Sequence, residues 1–187
     1  MTVEKSKLLV LELWGVGDLA IATPFLQAAA KRFEVTLLAK ASALELQPRF
    51  WPDVKVIPFT APWTAFRGKY RLWNWNWREL FELRRKLNAE HFELGLSARP
   101  DPRDHPFLKF LGAKKRFGFP DKGSGIFLTN LLNAPEPTAH RYEFWCVTAN
   151  ALDLNLPVRE KLIYAPRSSQ TSQKTILVHS GARIAAR

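Results

Sequence analysis

From its N-terminus the chain alternates short, unbroken apolar runs with longer stretches in which apolar residues return every three or four positions. Residues 7–13 form such a run. It ends at Trp14-Gly15-Val16-Gly17-Asp18, and residues 19–32 then carry apolar side chains at helical spacing, so the opening reads as strand, tight loop, helix. Residues 34–39 return to strand character. A second unit follows, with a short helix over 42–50 and a strand over 54–59 bounded by Pro52 and Pro58. Residues 77–88 place Leu80, Phe81, Leu83 and Leu87 on one broad face and most charges elsewhere, and a strand over 92–97 comes next. A helix over 105–111, a basic strand over 115–119, a stretch punctuated by Gly and Pro, and a helix over 139–152 complete the pattern. Strand and helix alternate throughout, so the expected fold class is α/β, a Rossmann-like doubly wound parallel sheet.

After residue 160 the character changes. Residues 167–174 are polar and unpatterned, a linker by composition. Ile176 to Arg183 reads as a buried strand entering a Gly-containing loop, the kind of opening that a helix and more sheet should follow. The expected organisation is one α/β domain over 1–160, a linker over 161–174, and over 175–187 the first strand and loop of a truncated second domain.

Composition narrows the setting. At 187 residues and 47% hydrophobic content the chain can bury one good core. Its single cysteine, Cys146, cannot form an intramolecular disulfide, and the N-terminus lacks the apolar stretch of a signal peptide, so a reducing cytoplasm is the expected compartment. No segment approaches the roughly 20 apolar residues of a membrane span; the first apolar run is already interrupted by Glu12. A net charge of +11 implies an anionic partner: nucleic acid, phosphorylated glycan or anionic lipid.

Gly15-Val16-Gly17-Asp18-Leu19-Ala20 formally satisfies the dinucleotide fingerprint G-x-G-x-x-G/A. Two details count against that use. Asp18 puts a carboxylate where pyrophosphate should meet the helix N-terminus, and the next strand ends in Leu38-Ala39-Lys40, with no acid for a ribose hydroxyl. Asp18 reads first as the helix N-cap. It also stands at the C-terminal end of the first parallel strand, where α/β folds place ligands, so it can serve as cap and base together. Pro24 lies inside the apparent helix, which is therefore kinked or restarts with Thr23 as cap.

Trp63, Phe66, Tyr70, Trp73, Trp75 and Trp77 are interleaved with Arg67, Lys69, Arg71 and Arg78. Indoles can fill a loop folded on the sheet; with arginine they also suit a phosphorylated or carboxylated sugar, or a membrane interface. Stacking rings and cations would serve single-stranded nucleic acid too, but no recognition module such as the RRM signature is present, and no nucleic-acid partner is expected. Arg99 and Arg103 follow a strand at the ligand-facing end of the sheet, where they either pair with Asp101 and Asp104 or bind an acceptor. Lys114, Lys115 and Arg116 read as a solvated edge, and His140 as structural. No Asp-x-Asp or His/Cys cluster suggests a metal, since Pro102 and Arg103 separate Asp101 from Asp104.

Gly17-Asp18, four residues, then Thr23-Pro24 resembles the N-terminal signature of glycosyltransferase family nine, the heptosyltransferase group, which has the two-domain GT-B fold. The loop from Ala98 to His105 with Leu111-Gly112-Ala113-Lys114-Lys115-Arg116-Phe117-Gly118 resembles a further family segment, and His140-Arg141-Tyr142-Glu143 the start of its linker helix. His179-Ser180-Gly181-Ala182 is similar to the opening of the family's nucleotide-sugar domain, with Ser180 replacing a frequent Pro and Arg187 at a basic position. The resemblance implies an inverting transfer of a sugar, heptose above all, from a nucleotide diphosphate donor to a lipopolysaccharide-type or other anionic glycan acceptor. It implies Asp18 as general base, and acceptor contacts from Gly17, Thr23, Trp63, Arg99 and Arg103. Ser180, Gly181, Ala182 and Arg187 would hold the donor, with no metal and no cofactor. On this reading the chain as it stands is inactive, because the donor domain is all but missing, and it works in the cytoplasm or peripherally on the inner face of the cytoplasmic membrane. The other reading is a non-catalytic Rossmann-like domain that binds an anionic ligand or a membrane surface.

Overall fold

The computed structural model describes residues 5–64, 73 and 75–159. Along them the chain forms β1 (Lys7–Glu12), α1 (Val16–Arg32), β2 (Glu34–Ala39), α2 (Ala43–Phe50), β3 (Lys55–Pro58), α3 (Trp77–Asn88), β4 (Leu94–Ser97), α4 (Asp104–Phe110), β5 (Lys115–Gly118), β6 (Asn130–Leu131) and α5 (Arg141–Asn150). Every strand pairs in parallel, in the order β3-β2-β1-β4-β5-β6. Among the described residues each helix and strand expected from the pattern is present, with ends shifted by at most a few residues; β6 is an addition. The expected linker, the final strand, and Phe66, Arg67, Lys69, Tyr70 and Arg71 lie outside the described residues.

β1 is apolar from Leu8 to Leu11 because both sheet faces are covered. Alternation sends Leu8 and Val10 to one face, where they meet Leu19, Phe25 and Leu26 of α1 and Trp145 and Ala149 of α5. Leu9 and Leu11 go to the other, against Leu80, Leu83 and Leu87 of α3 and Phe107 and Leu108 of α4. Each such leucine, wholly removed from water, contributes about 1.5–3 kcal/mol. Phe81 departs from expectation: it is 53% exposed and meets only the edge of Phe110, because the apolar stripe of α3 that fits the sheet is narrower than the sequence suggested.

α1 runs through Pro24 without restarting. Pro24 cannot donate to Ala20, an exposed residue, while the Thr23 hydroxyl donates to the Leu19 carbonyl at 3.0 Å and accepts from the Trp51 indole at 3.2 Å. Thr23 is thus tied to a buried indole and is not a helix cap. Arg116, expected on a solvated edge, instead donates to the carbonyls of Phe127, Ala113 and Lys114, because β6 continues the sheet beyond β5. Lys114 keeps the expected exposed character, paired with Glu93.

Candidate functional site

Strand order reverses direction beside β1: β2 and β3 lie to one side, β4 to β6 to the other. At such a point the loops leaving the two central strands part and open a crevice at the carboxyl end of the sheet. Here those loops carry Trp14 to Asp18 after β1 and Ala98 to Arg103 after β4. Between them lies a cleft of about 530 Å³, lined among others by Trp14, Arg99, Arg103, Lys122 and Arg141.

Asp18 is not the N-cap. Gly15 occupies that position, and Asp18, in the first turn of α1, reaches back so that its Oδ2 accepts the Gly15 N–H at 3.1 Å. The carboxylate therefore fills the place a phosphate would take at this helix end, which removes the dinucleotide reading of the loop. Its Oδ1 accepts from Arg99 Nη1, also at 3.1 Å. The Arg99 guanidinium lies 4.2 Å above the Trp14 ring, so cation–π attraction and the ion pair together fix its plane. Gly17 stands exposed beside this turn, and a Cβ there would meet nothing within 4 Å.

Arg103 grips Asp101 in a fork, Nε to Oδ1 at 2.8 Å and Nη2 to Oδ2 at 2.7 Å, and its Nη1 donates to the Trp63 carbonyl at 3.0 Å. Burial works to raise the Asp101 carboxyl, but the Arg103 bonds outweigh it and hold it below the usual carboxylate range. Asp104 takes part in neither pairing. It is buried, accepts from Ser97 Oγ at 2.8 Å and from Trp63 Nε1 at 3.2 Å, and burial followed by the Asp101 charge pushes it up to about 7. Arg103 thus pairs with Asp101, as one expectation had it, whereas Arg99 pairs with Asp18 and Asp104 pairs with neither arginine. Trp63 is buried edge-on to Phe107 and braces the loop from below without lining the cleft, and Thr23 does not line it either.

Two residues of this region carried no assignment in the sequence reading. Glu12, which there merely interrupted an apolar run, ends β1 fully buried; burial first, and then the Asp18 charge, push its carboxyl up to about 8, against the pull of Arg141 and Arg99. Arg141 opens α5 behind the His140 cap, whose Nδ1 accepts the Tyr142 N–H, and it lines the cleft. A carboxylic acid inside an otherwise apolar strand was the available signal for Glu12. The signal for Arg141 was its place in the His140 to Glu143 segment. Ser180, Gly181, Ala182 and Arg187 lie outside the described residues.

Neither a family model nor a curated protein matches the sequence. Solved structures do match the fold. A family-nine glycosyl transferase from Veillonella parvula superposes with a TM-score of 0.63 at 18% identity, over 83% of this chain and 44% of that one. An E. coli heptosyltransferase crystallised with ADP-2-deoxy-2-fluoro heptose gives 0.64 at 15% identity, over 81% and 50%. The E. coli ADP-heptose lipopolysaccharide heptosyltransferase II gives 0.57 at 16%, over 75% and 39%. The chain spans half or less of the length of these proteins. At such identities the likeness establishes architecture: this chain has the Rossmann-like α/β fold of one half of a GT-B glycosyltransferase, with its cleft at the switch point of the sheet.

Proposed function

We propose that this chain supplies the acceptor side of an inverting glycosyltransferase that moves a sugar, heptose foremost, from a nucleotide diphosphate to an anionic glycan acceptor of lipopolysaccharide type. The observation that carries the reading is Asp18: a carboxylate fixed by Gly15 and by Arg99, a residue that itself lines the cationic cleft, with its side chain 24% exposed. Each of its oxygens accepts one hydrogen bond and retains a further lone pair for a substrate proton. The acceptor hydroxyl oxygen attacks the anomeric carbon while its proton passes to Asp18; the bond to the diphosphate breaks and the electron pair leaves with that group. Arg99, Arg103 and the first turn of α1 with Gly17 receive the acceptor, Trp63 and Thr23 hold the loop and helix beneath it, and Ser180, Gly181, Ala182 and Arg187 receive the donor. The chemistry runs without metal or cofactor. ADP and an ADP-sugar analogue in the E. coli heptosyltransferase structures support a nucleotide-sugar donor.

Exposed Trp73, Trp77 and Phe81 beside Arg78 suit peripheral contact with an anionic membrane, and among the described residues no helix is long and apolar enough to cross one. The test joins the chain to the donor-binding half of a related enzyme and measures acceptor-dependent nucleotide release. Turnover that survives chelator and falls by about 10²–10⁴-fold in Asp18→Asn is the expected result. A folded chimera that binds donor, and turns over equally well with Asn at that position, would remove Asp18 from the chemistry; one that binds an anionic glycan and never turns over would favour a binding module.

A further inference from the structure

Polar atoms sealed from water without partners are uncommon in folded proteins and call for an explanation. Several gather at this cleft. Arg141 Nε and Nη2, Trp14 Nε1 and Glu12 Oε1 are all buried with no hydrogen-bond partner. Arg141 and Trp14 line the cleft, and so does Arg99, stacked on Trp14. The unmatched atoms of the wall are N–H donors from two elements far apart in sequence, and they want an acceptor that carries charge. Glu12 supplies the missing geometry. Alternation along β1 directs it to the same face as Leu8 and Val10, the face covered by α1 and α5, and at the carboxyl end of the strand it is near enough to Asp18 and Arg141, in the first turns of those helices, to feel both charges.

We propose that Arg141, Trp14 and Arg99 form a binding site for a phosphoryl group of a ligand, and that Glu12 beneath them is a positioning residue that admits the anion only while its own carboxyl is neutral. The charged groups that act on Glu12 come from every element around it: Asp18 on α1, Arg99 after β4, Asp104 on α4 and Arg141 on α5. Asp101, Arg103, Asp121 and Lys122 complete the charge around the cleft. The unmatched Arg141 donors are closed off from water as the cleft stands, so a ligand reaches them as the guanidinium turns outward, a movement that no pairing with Glu12 opposes while that carboxyl is neutral. Once ionised, Glu12 competes for them and repels the incoming anion at close range in a medium that screens poorly. Burial and the Asp18 charge hold the carboxyl neutral until about pH 8, so the site is open at neutral pH and closes above it.

The phosphoryl group could be the acceptor's or the donor's, and the site itself does not depend on glycosyl transfer. Binding is therefore read without turnover, and failure here is distinct from failure of Asp18 as a base. The probe is sulfate, whose charge is constant between pH 6.5 and 9, titrated calorimetrically into the whole chain. If only the form with neutral Glu12 binds, the apparent Kd rises about tenfold between pH 7 and pH 9. Glu12→Gln should bind sulfate with no such rise, and Arg141→Gln should lose binding while melting as cooperatively as wild type. Displacement of sulfate by glucose 6-phosphate assigns the site to an acceptor phosphate, and displacement by ADP assigns it to the donor. Absence of sulfate binding, unchanged binding in folded Arg141→Gln, or sulfate that neither competitor displaces would overturn the site. A pH dependence that persists in Glu12→Gln would overturn the role of Glu12.

Discussion

Arg99 and Asp18 meet at 3.1 Å across the switch point of the sheet, and the same guanidinium lies over Trp14. The ion pair is partly exposed, so on its own it contributes about 0–1 kcal/mol to stability. Its value lies in geometry. It ties the Asp18 carboxylate to a guanidinium that lines the cleft.

Lysine at position 99 keeps the charge and loses both the fork and the flat stacking surface. Arg99→Lys should therefore fold normally, with its melting temperature close to wild type, yet raise the acceptor KM of a donor-completed enzyme by about tenfold or more, the equivalent of about 1.4 kcal/mol. An unchanged acceptor KM would leave Arg99 as a surface ion-pair partner and nothing more.

Two buried acids set the pH response of the fold. Glu12 moves from 4.5 to about 8 on folding and Asp104 from 3.8 to about 7. An acid whose folded value is raised holds its proton more tightly in the native state, so its full favourable contribution is present below the unfolded value and is lost as pH climbs through the folded one. Stability should fall as pH rises from about 4 to about 8 and level off above, with each group contributing a change on the order of a few kcal/mol. Glu12→Gln should match wild type near pH 4.5 and exceed it at pH 8.5 in urea denaturation. Identical profiles for the two proteins would mean that the Glu12 carboxyl titrates alike in the folded and unfolded states.

Gly95, central in β4, has no room for a side chain: an added Cβ would lie 2.5 Å from the Ala113 Cβ and 3.2 Å from Leu108 Cδ2. Neither neighbour is the end of a long flexible chain, so the strand itself would have to shift. Gly95→Ala should lose about 1–3 kcal/mol. Since Ser97 and the Arg99 loop follow on the same strand, the variant should also weaken sulfate binding at the cleft; full stability by denaturant melting would show that α4 and Ala113 can give way at little cost.

Trp73, Trp77 and Phe81 are exposed, whereas Trp75 packs against Trp63 at 5.6 Å. Replacing Trp73, Trp77 and Phe81 with serine should abolish flotation of the protein with vesicles rich in phosphatidylglycerol while leaving the fold intact. Replacing Trp75 should instead lower stability. Equal flotation of the triple variant and wild type would end the membrane reading of this face.

The fold was legible where burial is simple. Leu8 to Leu11 show an unbroken apolar run because a central parallel strand is covered on both sides, and α3 follows from its stripe of Leu80, Leu83 and Leu87. β6 was not legible, for two residues hold no period. At the site, Asp18 could be read because a loop after the first strand of such a sheet is where ligands sit. The hydrogen bond from Gly15 could not, since a cap that reaches back from the first turn and one that precedes the helix leave similar sequences. Arg141 escaped because only the return of α5 to the α1 face brings it to the cleft, and no local pattern announces a return.

That return also sets the order in which the protein can become competent. Asp18 and Arg99 are 81 residues apart in the chain, and Arg141 joins them only after β1 has gained its neighbours and α5 has docked. Contacts so distant in sequence cannot form early, because the chain must close large loops before they bring any gain. Asp18 and Arg99 come together once β4 has paired with β1, and Arg141 joins them once α5 has docked on α1. A partial opening that lifts α5 alone would empty the cleft of Arg141 while β1, β2 and β3 stayed protected, so occupancy of the cleft and the docking of a single helix are thermodynamically linked.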